Sequence, residues 1–232
     1  MQLTRRPPDL VIFDCDGVLV DSERIAVEVD LIIFERVGLT ITRQEVVDRF
    51  VGGASSVEAA VEAHLGHPLA AEMKAEFQQL YERAIERDLK PVPGVVEVLS
   101  QLDRQTCVAS NSTLESLCHK LTRVGLYGHF DGRIFSAVDV GRLKPAPDVY
   151  LYAAASMRTD PDRCVVVEDS LFGVMAARAA GMHVLAFASD LVAPDSLEGP
   201  STTIFTEMSE LLGLIEELPL KSGVTPGGSS GN

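Results

Sequence analysis

The sequence predicts an α/β protein, a Rossmann-like parallel-sheet core with an all-helical cap inserted after its first strand. Three observations predict it. From about residue 92 onward, short apolar runs alternate with helical patterns, and such alternation builds a parallel sheet with helices on both faces. Residues 20 to 90 carry helical patterns and no strand candidate. The apolar run Leu10 to Phe13 stops at Asp14-Cys15-Asp16-Gly17, two carboxylates two residues apart and then a glycine. That is the form of a buried strand followed by a tight turn.

Taken in order, Leu10 to Phe13 is the first strand. Asp21-Ser22-Glu23 opens a helix, because Ile25, Val29, Ile32, Ile33 and Val37 recur at helical spacing until Gly38. Thr42-Arg43-Gln44-Glu45 is a capping box for a helix to about Phe50, which Gly52-Gly53 breaks. Ser55-Ser56-Val57-Glu58 reads as a second capping box, with a helix running to Leu65 and Gly66. Beyond Pro68 a long helical pattern spans 70–88. Pro91-Val92-Pro93-Gly94 marks the boundary where the texture changes.

After it come a helix over 95–102, a strand over 106–109 and the polar stop Ser110-Asn111-Ser112. Ser112-Thr113-Leu114-Glu115 reads as a third capping box, and its helix ends near Val124-Gly125. A short strand over 133–135 precedes the proline-stiffened loop Lys144-Pro145-Ala146-Pro147-Asp148 and a helix over 149–157. A buried strand over 164–167 ends in Glu168-Asp169-Ser170, and a small-residue helix follows to Gly181. Strands over 184–187 and 202–205 and a helix over 207–217 complete the pattern. The expected division is a core of residues 1–19 and 92–221, a helical cap of 20–91, and a flexible glycine- and serine-rich tail of 222–232.

Composition narrows the function. Of 232 residues, 20 are Lys or Arg and 34 are Asp or Glu, a net charge of −14, which argues against nucleic acid or an anionic membrane as partner. An anionic substrate would need its own local cations. Cys15, Cys107, Cys118 and Cys164 show no metal-like spacing, so reduced thiols in a cytoplasmic protein are expected. No signal-peptide pattern and no run of membrane-spanning length occurs. The expected state is a monomer or weak dimer.

The carboxylate spacing has chemical content. If Asp16 continues the extended run it points to the same side as Asp14, while Cys15 faces the core. Two carboxylates so close repel unless a cation lies between them. Mg²⁺, a hard ion with oxygen ligands, suits one or two carboxylates plus a substrate phosphate. Three further strand ends offer Ser110, Lys144 and Glu168-Asp169. Together these are the parts that breaking a phosphate ester requires: charge compensation, an in-line nucleophile and a proton for the leaving oxygen.

Asp-x-Asp-Gly-Val-Leu-Val-Asp-Ser, at Asp14 to Ser22, resembles the first motif of the haloacid dehalogenase superfamily. Ser110, Lys144 and Glu168-Asp169 match its second, third and fourth motifs in order. The resemblance implies that Asp14 is the nucleophile and Asp16 the general acid and base, with the Asp16 backbone carbonyl touching the metal. It also implies that Ser110, helped by Asn111, binds phosphate, and that Lys144 is the counter-charge. Asp169 would ligate Mg²⁺ directly and Glu168 through water. Dehalogenases of the superfamily lack the second aspartate, so dehalogenation is disfavoured.

In the cap, Gly52-Gly53 is the candidate loop dipping toward the core, with Arg49, Ser55 and Ser56 beside it to meet a small polar substrate. The family's beta-phosphoglucomutases carry an arginine in this loop and a histidine early in the first cap helix. The loop from Gly52 to Ser56 and the stretch from Glu23 to Val29 have neither. The chain therefore looks more like the small-sugar phosphatases, those acting on 6-phosphogluconate among them. The expected substrate is a sugar phosphate or sugar-acid phosphate. The alternatives are a mutase and a metabolite-binding protein without turnover.

Overall fold

A computed structural model describes residues 7–53 and 55–218; the expected tail, 222–232, lies outside the described residues. The strands are β1 (Leu10–Phe13), β2 (Gln105–Ser110), β3 (Ile134–Ser136), β4 (Cys164–Glu168), β5 (His183–Phe187) and β6 (Thr202–Phe205). They form one sheet in the order β3-β2-β1-β4-β5-β6, with every pairing parallel. The chain leaves β1 for β2 and β3 on one side, then returns to β4 on the other. The order therefore reverses beside β1, and ligands of open α/β sheets bind in the crevice beyond the strand ends at such a point.

All four residues of β1 and all five of β4 are buried. Val11 and Phe13 pack into one core layer, while Leu10 and Ile12 pack into the other, the alternation that a strand buried on both faces requires. This burial fixes the register. Phe13 lies opposite Val167 of β4, so Asp14 and Glu168 emerge side by side at the mouth of the sheet.

The helical segment holds α1 (Ser22–Arg36), α2 (Arg43–Phe50), a 3₁₀ turn over Val51–Gly53, α3 (Val57–Leu65) and α4 (Ala71–Asp88). Ile33, Phe34, Phe50 and Phe77 bury their apolar faces there. Two strand-like segments connect it to the sheet. The Asp21 amide donates to Lys90 O at 3.0 Å, and the Val92 amide donates to Leu19 O at 3.1 Å. The remaining helices are α5 (Val95–Gln101), α6 (Leu114–Arg123), α7 (Tyr127–Phe130), α8 (Ala137–Val140), α9 (Asp148–Ser156), α10 (Leu171–Ala179) and α11 (Leu211–Glu217).

Three local expectations change. The capping box at Thr42 and Glu45 is formed, but Ser56, not Ser55, caps α3, and Thr113, not Ser112, caps α6. Where two candidate caps are adjacent, the backbone dihedrals decide which one is extended. The short α7 and α8 give no sequence signal, being four residues each. The helix expected over 207–217 is a 3₁₀ turn, Met208–Glu210, leading into α11. All four cysteines are free thiols. Among the described residues no helix is long and apolar enough to cross a membrane.

Candidate active site

The sheet's register brings four of the singled-out residues into contact at one place. The Lys144 Nζ donates to Asp14 Oδ1 at 2.5 Å and to Glu168 Oε1 at 2.6 Å. Asn111 Oδ1 accepts from the Lys144 amide at 2.8 Å, which ties the proline-stiffened loop to the end of β2. Ser110 is buried at the same strand end, where its hydroxyl accepts from the Ser112 amide at 3.3 Å. Asp14, Glu168 and Asp169 are buried, and each offers a carboxylate oxygen within 4.8 Å of the others'.

Two glycines let these groups approach. Gly17 takes φ +78°, and a Cβ there would sit 1.8 Å from Asp169 Oδ2. Gly173, in the first turn of α10, would place a Cβ 1.7 Å from Glu168 Oε1. No other residue fits either position without moving a carboxylate.

Three buried carboxylates against one ammonium are electrostatically unbalanced. Burial, reinforced by Glu168 and Asp16 and opposed by Lys144, pushes the Asp14 carboxyl up to about 7. Burial also raises Asp169 well above its usual range, with Glu168, Glu23 and Asp14 adding to the effect. Burial acts on Glu168 too, but Lys144 and several hydrogen bonds outweigh it and hold Glu168 below the ordinary range. Glu168 keeps its charge because it has more donors. Tyr150 Oη lies 2.8 Å from Oε1, and the Asp169 amide, Ser170 amide and Ser170 hydroxyl serve Oε2 at 2.9–3.0 Å. A hard, oxygen-seeking cation fits the remaining imbalance. Asp14, engaged at Oδ1 by Lys144, and Asp169 are the carboxylates with fewest donors, while Glu168 is held by several.

Asp16 turns away from this cluster. Its Oδ1 accepts from Ser22 Oγ and Lys120 Nζ, both at 2.6 Å, and its Oδ2 accepts from Ser112 Oγ at 2.8 Å. Burial would raise its pKa, but Lys120 and these hydrogen bonds outweigh burial and hold it below the carboxylate range. Beside Asp16 a cleft of about 740 Å³ opens between α1, α4 and α6, with Glu23, Tyr81 and Lys120 in its wall.

The turn Val51–Gly53, with Gly52 at φ +75°, rests against α10. Arg49 is exposed, with its guanidinium 5.1 Å above the Phe50 ring. Ser55 is exposed, and Ser56 spends its hydroxyl on the start of α3.

Sequence reasoning missed Tyr150, Ser22, Glu23 and Lys120. Glu23 is half-buried beside the acidic cluster, and desolvation, with Asp16, Asp14 and Asp30 adding, pushes it up to about 7. Ser22 and Glu23 follow the first motif directly, so their place beside it could have been read. Tyr150 and Lys120 carry no such signal, since each looks like an ordinary helix residue.

The geometry agrees with what the chain resembles in known proteins. The model of the haloacid dehalogenase-like hydrolases matches residues 11–187. The chain is 31% identical over 210 residues to the 6-phosphogluconate phosphatase of Escherichia coli K12, covering 88% of this chain and 92% of that one. It is 32% identical over 183 residues to hexitol phosphatase B of the same organism, covering 74% and 80%. The crystal structure of a conserved haloacid dehalogenase-like protein from Agrobacterium tumefaciens superposes with a TM-score of 0.81 at 40% identity, over 89% of this chain and 97% of that one. The chain belongs to the haloacid dehalogenase-like hydrolase family and is a phosphatase-type enzyme of it.

Proposed function

We propose that the protein is a Mg²⁺-dependent phosphatase that hydrolyses a small phosphorylated metabolite, a sugar phosphate or sugar-acid phosphate, through an aspartyl-phosphate on Asp14. The observation that carries this reading is the buried assembly of Asp14, Lys144, Glu168 and Asp169 at the strand reversal. The two relatives' names, for a sugar acid and a hexitol, support the substrate class.

In this reading Asp14 attacks phosphorus in line, and Lys144 offsets the charge of nucleophile and phosphate. Ser110 and Asn111 hold phosphate oxygens at the end of β2. Asp16 gives a proton to the leaving oxygen, then takes one from the water that hydrolyses the acyl phosphate. Asp14, Asp169 and the Asp16 backbone carbonyl would hold Mg²⁺, with Glu168 acting through water. The bound ion would supply charge neutralisation and polarise the phosphoryl oxygens. Residues 20–91 form the cap that excludes water, and Arg49, Gly52, Gly53 and Ser55 meet the substrate from its side.

Release of inorganic phosphate from a panel of phosphorylated metabolites tests the proposal. Turnover is expected with Mg²⁺, stops on full chelation with EDTA, and is lost in Asp14→Asn while the fold persists. Conversion of beta-glucose 1-phosphate with a bisphosphate primer, without phosphate release, would replace this reading with the mutase. Full activity of Asp14→Asn would remove the assigned nucleophile.

A further inference from the structure

Lys120 has no assigned part in the chemistry, yet its position is unusual for a helix lysine. It lies in the second turn of α6 and reaches back to the mouth of the sheet, where its Nζ is 2.6 Å from Asp16 Oδ1 and 3.3 Å from Ser112 Oγ. Its side chain is only 14% exposed, so the ammonium has given up most of its water for this contact. Asp16 is the one carboxylate it pairs with among the described residues.

The three donors on Asp16 come from three segments: Ser22 from the start of the helical cap, Ser112 from the loop after β2, and Lys120 from α6. Together they occupy both carboxylate oxygens. An aspartate at a strand end, beside an open cleft, otherwise has two rotatable bonds and no fixed aim. Lys120 and Asp16 both line the cleft, the space into which an alcohol would depart.

We propose that Lys120 is a positioning residue: its contact with Oδ1, beside those of Ser22 and Ser112, fixes the Asp16 carboxyl at the edge of the cleft, where it meets the leaving oxygen. The step it serves balances simply. Asp16 first takes a proton from solvent; the P–O bond to the alcohol then breaks, its electron pair stays on the oxygen, and the proton passes from Asp16 to that oxygen. Asp16 ends as a carboxylate facing an ammonium. The inference rests on Asp16 being the proton donor in the proposed phosphatase reaction.

A purely structural role would lower all activity together. A role in proton delivery depends on the leaving group, because an alkoxide needs the proton and p-nitrophenolate does not. The experiment measures kcat/KM, which reports on the steps up to departure of the alcohol, for an alkyl phosphate and for p-nitrophenyl phosphate. The proteins are wild type, Lys120→Met, Lys120→Gln, Lys120→Arg and Asp16→Asn.

General acids contribute large factors, so Lys120→Met and Lys120→Gln are expected to lose about tenfold or more on the alkyl substrate beyond their loss on the aryl one. Lys120→Arg should recover most of that difference, and Asp16→Asn should show the same pattern more strongly. Equal losses on both substrates, or none, in Lys120→Met and Lys120→Gln while Asp16→Asn discriminates, would overturn the part assigned to Lys120. If Asp16→Asn itself fails to discriminate, Asp16 is not the donor, and the inference falls with that assignment while the phosphatase activity stands.

Discussion

Lys144 donates to Asp14 at 2.5 Å across 130 residues of sequence, with both side chains less than a tenth exposed. The two are brought together by the β1–β4 register on one side and by Asn111 clamping the Lys144 backbone on the other. The ammonium is the only cation in contact with Asp14, Glu168 or Asp169 among the described residues, so its removal leaves the carboxylates facing one another.

Lys144→Met is therefore expected to abolish phosphate release, by about 10³-fold or more, since it removes a preorganised charge from a dry site. Stripping one partner from a buried ion pair costs about 3–5 kcal/mol, so the metal-free variant should melt well below the parent. Mg²⁺ should recover part of that loss by replacing the missing positive charge. Thermal unfolding with and without Mg²⁺, beside a phosphate-release assay, checks both statements. A variant as active as the parent would take Lys144 out of the site.

Gly17→Ala should damage the site more than its single methyl suggests. The residue sits at φ +78°, and its Cβ would fall 1.8 Å from Asp169 Oδ2. Either the turn or the carboxylate must move. Left-handed backbone costs a non-glycine residue about 1–2 kcal/mol, a modest loss of stability, whereas displacing Asp169, the proposed metal ligand, should raise the Mg²⁺ concentration needed for activity by tenfold or more. Titrating activity with Mg²⁺ distinguishes the two effects.

Asp30 makes stability depend on pH outside the acidic cluster. It is buried where α1 meets α4, and the Tyr81 hydroxyl donates to it. Burial exceeds the effect of that hydrogen bond and raises the Asp30 carboxyl to about 6. The folded state thus holds a proton that the unfolded chain releases near pH 4. The sign follows: relative to Asp30→Asn, the wild type loses stability as pH rises from about 4 to about 6, and the loss then levels off. Between pH 4 and pH 8 the wild type should lose up to about 3 kcal/mol of stability relative to the asparagine variant. Denaturant unfolding of both proteins at pH 4 and pH 8 measures the change; a difference between them that stays constant or moves the other way would contradict it.

The charge of the cleft predicts a substrate preference. Glu23, Glu82, Glu86 and Glu115 line it, while its Lys120 is engaged by Asp16 and His119 Nε2 lies 2.6 Å from Glu86. A substrate end carrying a carboxylate enters against this potential, and a neutral polyol does not. Glucitol 6-phosphate and gluconate 6-phosphate form a matched pair that differs at one carbon. The hexitol phosphate should have the higher kcat/KM by about tenfold at low salt, with the gap closing as salt screens it. Glu82→Gln should narrow it too. A preference for the sugar acid would refute the expectation, and the relative named for 6-phosphogluconate makes that a sharp comparison.

Local sequence carried the sheet, the inserted helices and the residues at the strand ends. Each is written in neighbours: apolar runs of strand length, glycines after carboxylates, and prolines beside Lys144. A strand buried on both faces must read as a continuous apolar run, and its end must turn polar where water or ligand begins, so Asp14, Ser110 and Glu168 could be placed without coordinates. Which of two adjacent candidates caps a helix was not settled this way, and Ser112, freed by Thr113, turned out to hold Asp16. Lys120, Tyr150 and the Asp30–Tyr81 pair were invisible for a different reason. Each meets its partner across 18 to 104 residues, and only the packing of α6 and α9 on the sheet, and of α1 on α4, decides which side chain arrives there. Spacing along the chain fixes which way a side chain points on its own element; what it touches is set by the element packed against it.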